Sequence, residues 1–177
     1  EKNNYLAAVC ECGGAFGLAV VDLTTSDFKT TQTKQESELL AELERLRPAE
    51  IIFPSQTNRF IELLETAFPI VNGHEDWVFT PETAVFTVRE HFGVASLDGF
   101  GLKNADAAVG ATGAALHYLA QHLRRDVKHL TRLSYYQCRD YLVLDSTTLR
   151  NLEILEPLHR DAPRDASLFG AMNRTVT

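Results

Sequence analysis

Asp22 is the residue whose position most favours chemistry, because it ends the apolar segment Gly17–Val21 and precedes a polar turn. A carboxylate at the end of a buried strand can bind Mg²⁺, and phosphodiester cleavage follows when several carboxylates converge on such ions. The other acids considered, Asp98 and Asp145, lie in unrelated sequence contexts. Two interpretations remain: a Mg²⁺-dependent nuclease with Asp22 as a ligand, and a turn in which the Asp22 carboxylate accepts backbone hydrogen bonds. We expect the turn.

The segment Asp98–Lys103 looks like a phosphate-binding loop, because glycines and a lysine precede a predicted helix. Lys103 is followed by Asn104 rather than by Ser or Thr, and Asn104 also stands where a dinucleotide fingerprint needs its third glycine. The segment therefore fails both phosphate-binding patterns. We expect the glycines to allow a tight turn, Phe100 to enter the core and Asn104 to cap the next helix.

Histidine and cysteine spacing predicts no metal site and no disulfide. No common spacing places the six histidines on one helical face: His74, His91, His117, His122, His129 and His159. The Cys10-x-Cys12 pair lacks a second pair with metal-ligand spacing, and the third cysteine is remote. We expect surface or amphipathic histidines, small buried cysteines, a reducing compartment and no cofactor or metal bound by this chain. No serine lies in a G-x-S-x-G context, so hydrolase chemistry has no candidate nucleophile.

The composition of the 177 residues is that of a globular chain, with 45% hydrophobic residues and a formal charge of −7. No run approaches the ~20 apolar residues of a membrane span, and no signal-peptide pattern is present. Lys and Arg are not clustered and the net charge is acidic, which argues against a third possibility, a module that binds a phosphate backbone by itself. We expect a cytoplasmic protein, and we expect it to be a piece of a longer chain because Thr177 does not end its last element.

The elements that position these residues begin with three strands, Tyr5–Val9, Phe16–Val21 and Phe28–Thr33, which are separated by turn-forming clusters. The second strand is apolar throughout, which predicts a central position with both faces covered. Ile51–Phe53 predicts a further short buried strand that ends at Pro54.

Four helices are predicted between and after these strands. The first carries leucines between Leu39 and Leu46, opens with Thr33-x-x-Glu36 and stops at Pro48. The second is capped by Ser55 and runs to Pro69; the third begins at Thr80-Pro81 and ends at Gly93. The fourth spans about 105–124 and is so rich in Ala and Gly that its backbone must pack closely against a sheet. Strands followed by alternating helices and strands predict an α/β fold with a mixed sheet.

The sequence changes character after Lys128. Six of the 17 basic and six of the 24 acidic residues lie from residue 129 onward, so residues 1–128 carry the whole net charge. The segment Tyr141–Asp145 predicts an isolated strand, and Leu149–Leu158 predicts an amphipathic stretch. We therefore predict two domains, 1–128 and 129–177, the second of them truncated.

Several segments together resemble the bacterial DNA mismatch repair family MutS, and the resemblance covers essentially the whole chain. Segments similar to its connector domain, in chain order, are Asn4–Val9, Phe16–Phe28, Leu43–Phe53 with the junction Arg47-Pro48-Ala49-Glu50, Phe92–Gly93, Leu97–Gly101 and His117–Leu119. The most specific segment, Asp145–Ile154, resembles the "D-x-x-T-x-x-N-L-E" entry into the core, or lever, domain. Asn173–Thr177 resembles the start of that domain's next segment.

This resemblance implies a ribonuclease H-like mixed sheet flanked by helices, without nuclease activity, followed by a short part of a mostly helical core domain. It implies that the chain couples mismatched-DNA binding to an ATPase, and that DNA, ATP, Mg²⁺ and a second MutS subunit are bound by other parts of the parent protein. It also implies a docking surface for MutL, which we place on Val85–Asp98, where Arg89, Glu90 and His91 are expected to be exposed. The alternative is a ribonuclease H-like nuclease that uses Asp22.

Overall fold

The computed structural model describes residues 4–57, 62 and 64–138. Contacts divide the chain into two units, 1–140 and 141–177, and all described residues belong to the first. Residues 58–61 and 63 of the second predicted helix and everything predicted after residue 138 lie outside the described residues, including the strand Tyr141–Asp145 and the lever-like segments Asp145–Ile154 and Asn173–Thr177. The division at residues 128 and 129 therefore stays a prediction.

A six-stranded mixed sheet forms the centre of the first unit. Its strands in chain order are β1 (Leu6–Cys12), β2 (Ala15–Asp22), β3 (Asp27–Thr33), β4 (Glu50–Pro54), β5 (Val71–His74) and β6 (Ser134–Tyr135). Their spatial order is β5-β4-β1-β2-β3-β6; β1, β2 and β3 are antiparallel, and the other pairings are parallel. The predicted mixed sheet is confirmed, and every residue of β2 is buried, as its apolar sequence indicates.

The sheet has a hydrophobic core on each face because side chains alternate along each strand. In β1, Leu6, Ala8 and Cys10 belong to one core, whereas Ala7 and Val9 belong to the other. The first core lies beneath the alanine-rich helix and its neighbour, and the second contains leucines of the first helix. The first unit therefore folds in three layers, with helices covering both faces of the sheet.

Helix α1 (Glu36–Leu46) places Leu39 and Leu43 in the second core. Its start differs from the predicted capping pattern: Gln35 is the N-cap, and the Thr33 hydroxyl accepts from the Gln35 N–H at 3.2 Å and donates to the Glu38 carboxylate. The acid that pairs with the Thr33 hydroxyl at the start of the helix is therefore Glu38 rather than the predicted Glu36. The helix ends at Arg47, which adopts a left-handed conformation (φ 47°) directly before the predicted stop.

Helices α2 (Pro81–Phe92) and α3 (Asp106–His117) cover the other face of the sheet. The bounds of α2 confirm the prediction, since Thr80 is its N-cap and Gly93 ends it with φ 64°. Helix α3 is shorter than predicted and continues as one π-type turn, Tyr118–His122. A long-range contact caps α3: the side-chain oxygen of Gln32 in β3 accepts from two of its first N–H groups, at 3.0 and 3.3 Å. The predicted Asn104 cap is wrong, because Asn104 lies two residues before the helix with φ 58° and Ala105 is the N-cap.

Glycines allow the backbones of β2, α3 and α2 to approach each other closely. A Cβ atom added at Gly17 of β2 would lie 1.9 Å from the carbonyl oxygen of Ala107 in α3. One added at Gly113 would lie 2.6 Å from Cα of Ala84 in α2. The prediction that the alanine-rich helix packs its backbone against the sheet is confirmed, and the same helix also packs closely against α2.

Across residues 4–57, 62 and 64–138, no helix combines the length and the apolar character that a bilayer crossing requires.

Candidate docking surface and the Asp22 turn

Asp22 ends β2 and is 2% exposed. Its carboxylate accepts a hydrogen bond of 2.8 Å from the Thr24 N–H. Burial opposes the charged form, but hydrogen bonds from the Thr24, Thr25 and Asn4 backbone outweigh it and lower the pKa of the carboxyl group. The structure thus shows the turn role that the sequence predicts.

Asp27 is the acid nearest to Asp22 along the hairpin, since the two residues pair across β2 and β3. The Asp27 carboxylate already accepts from the Tyr5 hydroxyl at 2.8 Å and from Lys29 Nζ at 2.7 Å. Within the described part of the chain, no three His, Cys, Asp or Glu side chains are placed to hold a metal ion together. Nothing in this geometry supports the nuclease alternative.

The glycine-containing loop before α3 has a structural role. Asp98–Phe100 forms one turn of 3-10 helix that ends at Gly101 with φ 75°. Phe100 is half-buried rather than fully buried, and its ring lies 5.0 Å from that of Phe92 between centroids. The loop therefore packs against the end of α2 through the contact between Phe100 and Phe92.

The outer face of α2 carries the predicted docking residues Arg89 and Glu90, and both are exposed. Phe86 is 66% exposed, which makes it the most exposed large apolar side chain among the described residues. It lies three and four residues before Arg89 and Glu90, so the three side chains are neighbours on one helix surface. We call Phe86, Arg89 and Glu90 the α2 face.

His91 does not belong to the α2 face, so its expected exposure is not what the structure shows. Its ring is half-buried and packs edge-on against Phe92, at 4.6 Å between centroids. Its Nε2 lies 2.8 Å from the carbonyl oxygen of Leu130, in hydrogen-bonding contact. His91 therefore connects α2 to the segment after the π-type turn, and its role is structural.

Sequence reasoning missed Phe86, although its signal was present. Ala84 and Val88 are the buried residues of α2, and Phe86 is rotated away from them by about 160–200° at 100° per residue. Aromatic and arginine side chains are enriched in protein interfaces, so an exposed Phe86 beside Arg89 makes this surface a candidate for docking. The expected exposure of Arg89 and Glu90 is by itself no reason for binding, because exposed charge on a helix is usually only a solvated face.

Comparisons with known proteins agree on one family. The family model described as "MutS domain II" matches residues 4–131. Relatives called "DNA mismatch repair protein MutS" include those of Solibacter usitatus (40% identical), Symbiobacterium thermophilum (39%) and Protochlamydia amoebophila (38%). Each comparison covers 100% of this chain and 21% of the relative, so the chain spans about a fifth of their length.

Proposed function

Because the chain belongs to the MutS family and contains its domain II, we propose that it is a non-catalytic connector in a mismatch repair protein. Its role is to couple mismatched-DNA binding to ATP hydrolysis and to offer a docking surface for MutL. The family match supports this proposal most directly, since it extends from Asn4 to Thr131 and thus over almost all described residues. The family match and the contacts of Asp22 give no support to a nuclease.

Coupling requires a body that changes position between states, because allostery is a free-energy difference between arrangements and not a property of distance. The described unit suits such a role, since β2, α3 and α2 are joined by close backbone contacts at Gly17 and Gly113. We propose that it moves as one body when the parent protein binds ATP. ATP, Mg²⁺, mismatched DNA and a second MutS subunit are bound by other parts of that protein, which acts in the cytoplasm.

The α2 face is the proposed MutL contact. Exposed aromatic and arginine side chains dominate many interface energies, and Phe86 and Arg89 lie together here. Arg89 makes one long hydrogen bond of 3.4 Å, from its Nε to the Val94 carbonyl oxygen, so its guanidinium is held near the end of α2. The face is supported from below by Phe92 and Phe100, which keep the end of the helix in place.

The experiment is ATP-dependent capture of MutL by the full-length MutS protein that contains this chain. We expect Phe86→Ala combined with Arg89→Ala and Glu90→Ala to weaken capture at least tenfold, which corresponds to about 1.4 kcal/mol of binding free energy. His91→Ala tests whether His91 is rightly left out of the α2 face. Its ring is in hydrogen-bonding contact with the Leu130 carbonyl oxygen, so we expect this variant to lose thermal stability without a specific loss of MutL capture.

The matched control removes one exposed acid and one exposed base elsewhere, through Glu44→Ala combined with Arg47→Ala at the end of α1. This variant has the same net charge as the Arg89 and Glu90 changes, so capture should stay unchanged. Undiminished capture by the variant of the α2 face, with its folding verified by circular dichroism, would show that MutL docks elsewhere.

A further inference from the structure

Three histidines meet at one end of the sheet, although His74 is far from the other two in the sequence. His74 ends β5, His117 ends α3 and His122 ends the π-type turn. The His74 ring centroid lies 5.8 Å from that of His117 and 5.7 Å from that of His122. Tyr118 and Trp77 complete the group: Tyr118 stacks on His122 at 4.8 Å, and Trp77 meets His117 edge-on at 5.1 Å. We call these three imidazoles the histidine cluster.

Two ring nitrogens of the cluster are buried without a hydrogen-bond partner within the described part of the chain: His74 Nε2 and His117 Nδ1. A protonated imidazole donates from both nitrogens, so each of these atoms would become a buried N–H donor without an acceptor. Leaving such a donor unsatisfied in a charged ring costs more than leaving a neutral acceptor unsatisfied. The arrangement accommodates neutral rings and disfavours charged ones.

The acids around the cluster are engaged with other groups. Glu75 is adjacent to His74 and favours its charged form, but the Glu75 carboxylate accepts from Trp77 Nε1 at 3.1 Å. Glu50 of β4 accepts from the Tyr118 hydroxyl at 2.6 Å and from Asn72 at 2.7 Å. Asp76 accepts from the Ser55 hydroxyl at 3.0 Å.

Burial and mutual repulsion therefore both favour the uncharged cluster. Burial lowers the pKa of His74 from its ordinary 6.5, and the positive charges that His117 and His122 would carry lower it further, against the opposing effect of Glu75. Burial likewise lowers the pKa of His117, again opposed by Glu75.

We propose that the histidine cluster is a proton-sensitive contact that holds the end of β5 and the 3-10 helix Asp76–Phe79 against the end of α3, and that it opens when His74 or His117 takes up a proton. The opening is local because β5 has four residues, none of them fully buried, and pairs with β4 alone among the described strands. Short, partly exposed edge elements are the least stable parts of a fold.

The direction of the pH dependence follows from the two states. In the open state His74 and His117 titrate near the ordinary imidazole pKa of 6.5, whereas in the closed state the pKa of each is lower. Above that pH both states are neutral and the contact has its full stability. As the pH falls below 6.5, the open state takes up protons first, so the contact weakens by up to about tenfold per histidine between pH 7.5 and 5.5.

The test is amide hydrogen exchange of the full chain at pH 7.5, 6.5 and 5.5, corrected for the intrinsic pH dependence of exchange. We expect the opening constant of the Val71–His74 amides to rise at least threefold more than that of the β2 amides on going to pH 5.5. Combining His74→Phe with His117→Phe keeps aromatic rings and removes the proton sites, so the excess should disappear. His129→Phe is the control, because His129 is exposed and lies outside the cluster.

An excess that persists in the double variant would overturn the proposal. If that variant does not fold, the wild-type chain still decides, through NMR titration of its histidine Cε1–H signals. The pKa values of His74 and His117 must lie below the ordinary 6.5, and a value at or above 6.5 for either would equally refute the proposal.

Discussion

Replacing Tyr136 by Phe removes one hydroxyl from a buried network at the edge of the sheet. That hydroxyl donates a 2.6 Å hydrogen bond to Glu42 Oε1, and Glu42 of α1 is only 1% exposed. The same carboxylate accepts from Arg45, from Nε at 3.0 Å and from a terminal guanidinium nitrogen at 2.5 Å. Burial, followed by the Glu42 carboxylate, raises the pKa of Tyr136 above its ordinary value, as expected for a phenol that donates to an anion.

The loss can be sized from these contacts. A hydrogen bond to a charged group contributes about 1.5–3 kcal/mol to folding stability. In Tyr136→Phe, Glu42 keeps its two Arg45 donors, so its charge is not left without a partner, and we expect the lower end of that range. Because the Arg45 side chain is 37% exposed, solvent screens its ion pair, and Arg45 does not fully replace the lost donor. Tyr136→Phe should therefore lower the free energy of unfolding by about 1.5–2 kcal/mol.

The assay is urea unfolding of the full chain, followed by circular dichroism. Tyr135→Phe is the matched control: it removes the same atom one residue away, where no hydroxyl hydrogen bond exists among the described residues, and should change stability by less than about 0.5 kcal/mol. Glu42→Gln and the double variant complete a cycle whose coupling energy should be about 1 kcal/mol or more. A Tyr136→Phe effect equal to that of the control, or a coupling energy near zero, would refute this account of the network.

Two further predictions concern the core. Gly17→Ala should destabilise the chain by more than about 3 kcal/mol in the same urea assay, because its Cβ would collide with the Ala107 backbone, whereas Gly99→Ala, with no atom within 4 Å, should change it by less than about 1 kcal/mol. Burial raises the pKa of Cys10 to about 12, so iodoacetamide at pH 8 should modify Cys12 and Cys138 long before Cys10, as read by peptide mass spectrometry. Equal labelling of all three thiols in the folded chain would contradict the burial of Cys10.

Local sequence signals predicted the elements whose ends they specify. Thr80-Pro81 and Gly93 define α2 to the residue, because a proline at the first helical position and a left-handed glycine act within one turn. Strand β5 was not predicted, since Val71-Asn72-Gly73-His74 has little strand propensity and exists through its parallel pairing with β4.

The features that the sequence did not predict, the Gln32 cap and the histidine cluster, are formed by residues from different elements of the fold. The Gln32 cap of α3 joins residues about 75 positions apart, so the local candidate Asn104 was preferred to it. The histidine cluster has the same origin. His74 and His117 share no helix or strand, and their rings meet only because the end of β5 lies beside the end of α3 in the fold. Spacing along one element can exclude a site on that element, but it does not exclude a site built from three.

The glycines of the core bear directly on the proposed connector role. A displacement applied at one side of a connector reaches the other side only if the body between does not absorb it by deforming. Side chains can change rotamer, but Gly17 and Gly113 bring β2, α3 and α2 together through backbone atoms, which have no rotamers to change. The elements that can deform most easily are therefore at the edges of the sheet. They are β5, with its histidine cluster, and β6, which Tyr136 directly follows. It follows that core variants such as Gly17→Ala should reduce coupling only through loss of folded protein, whereas edge variants can alter coupling in a protein that remains folded.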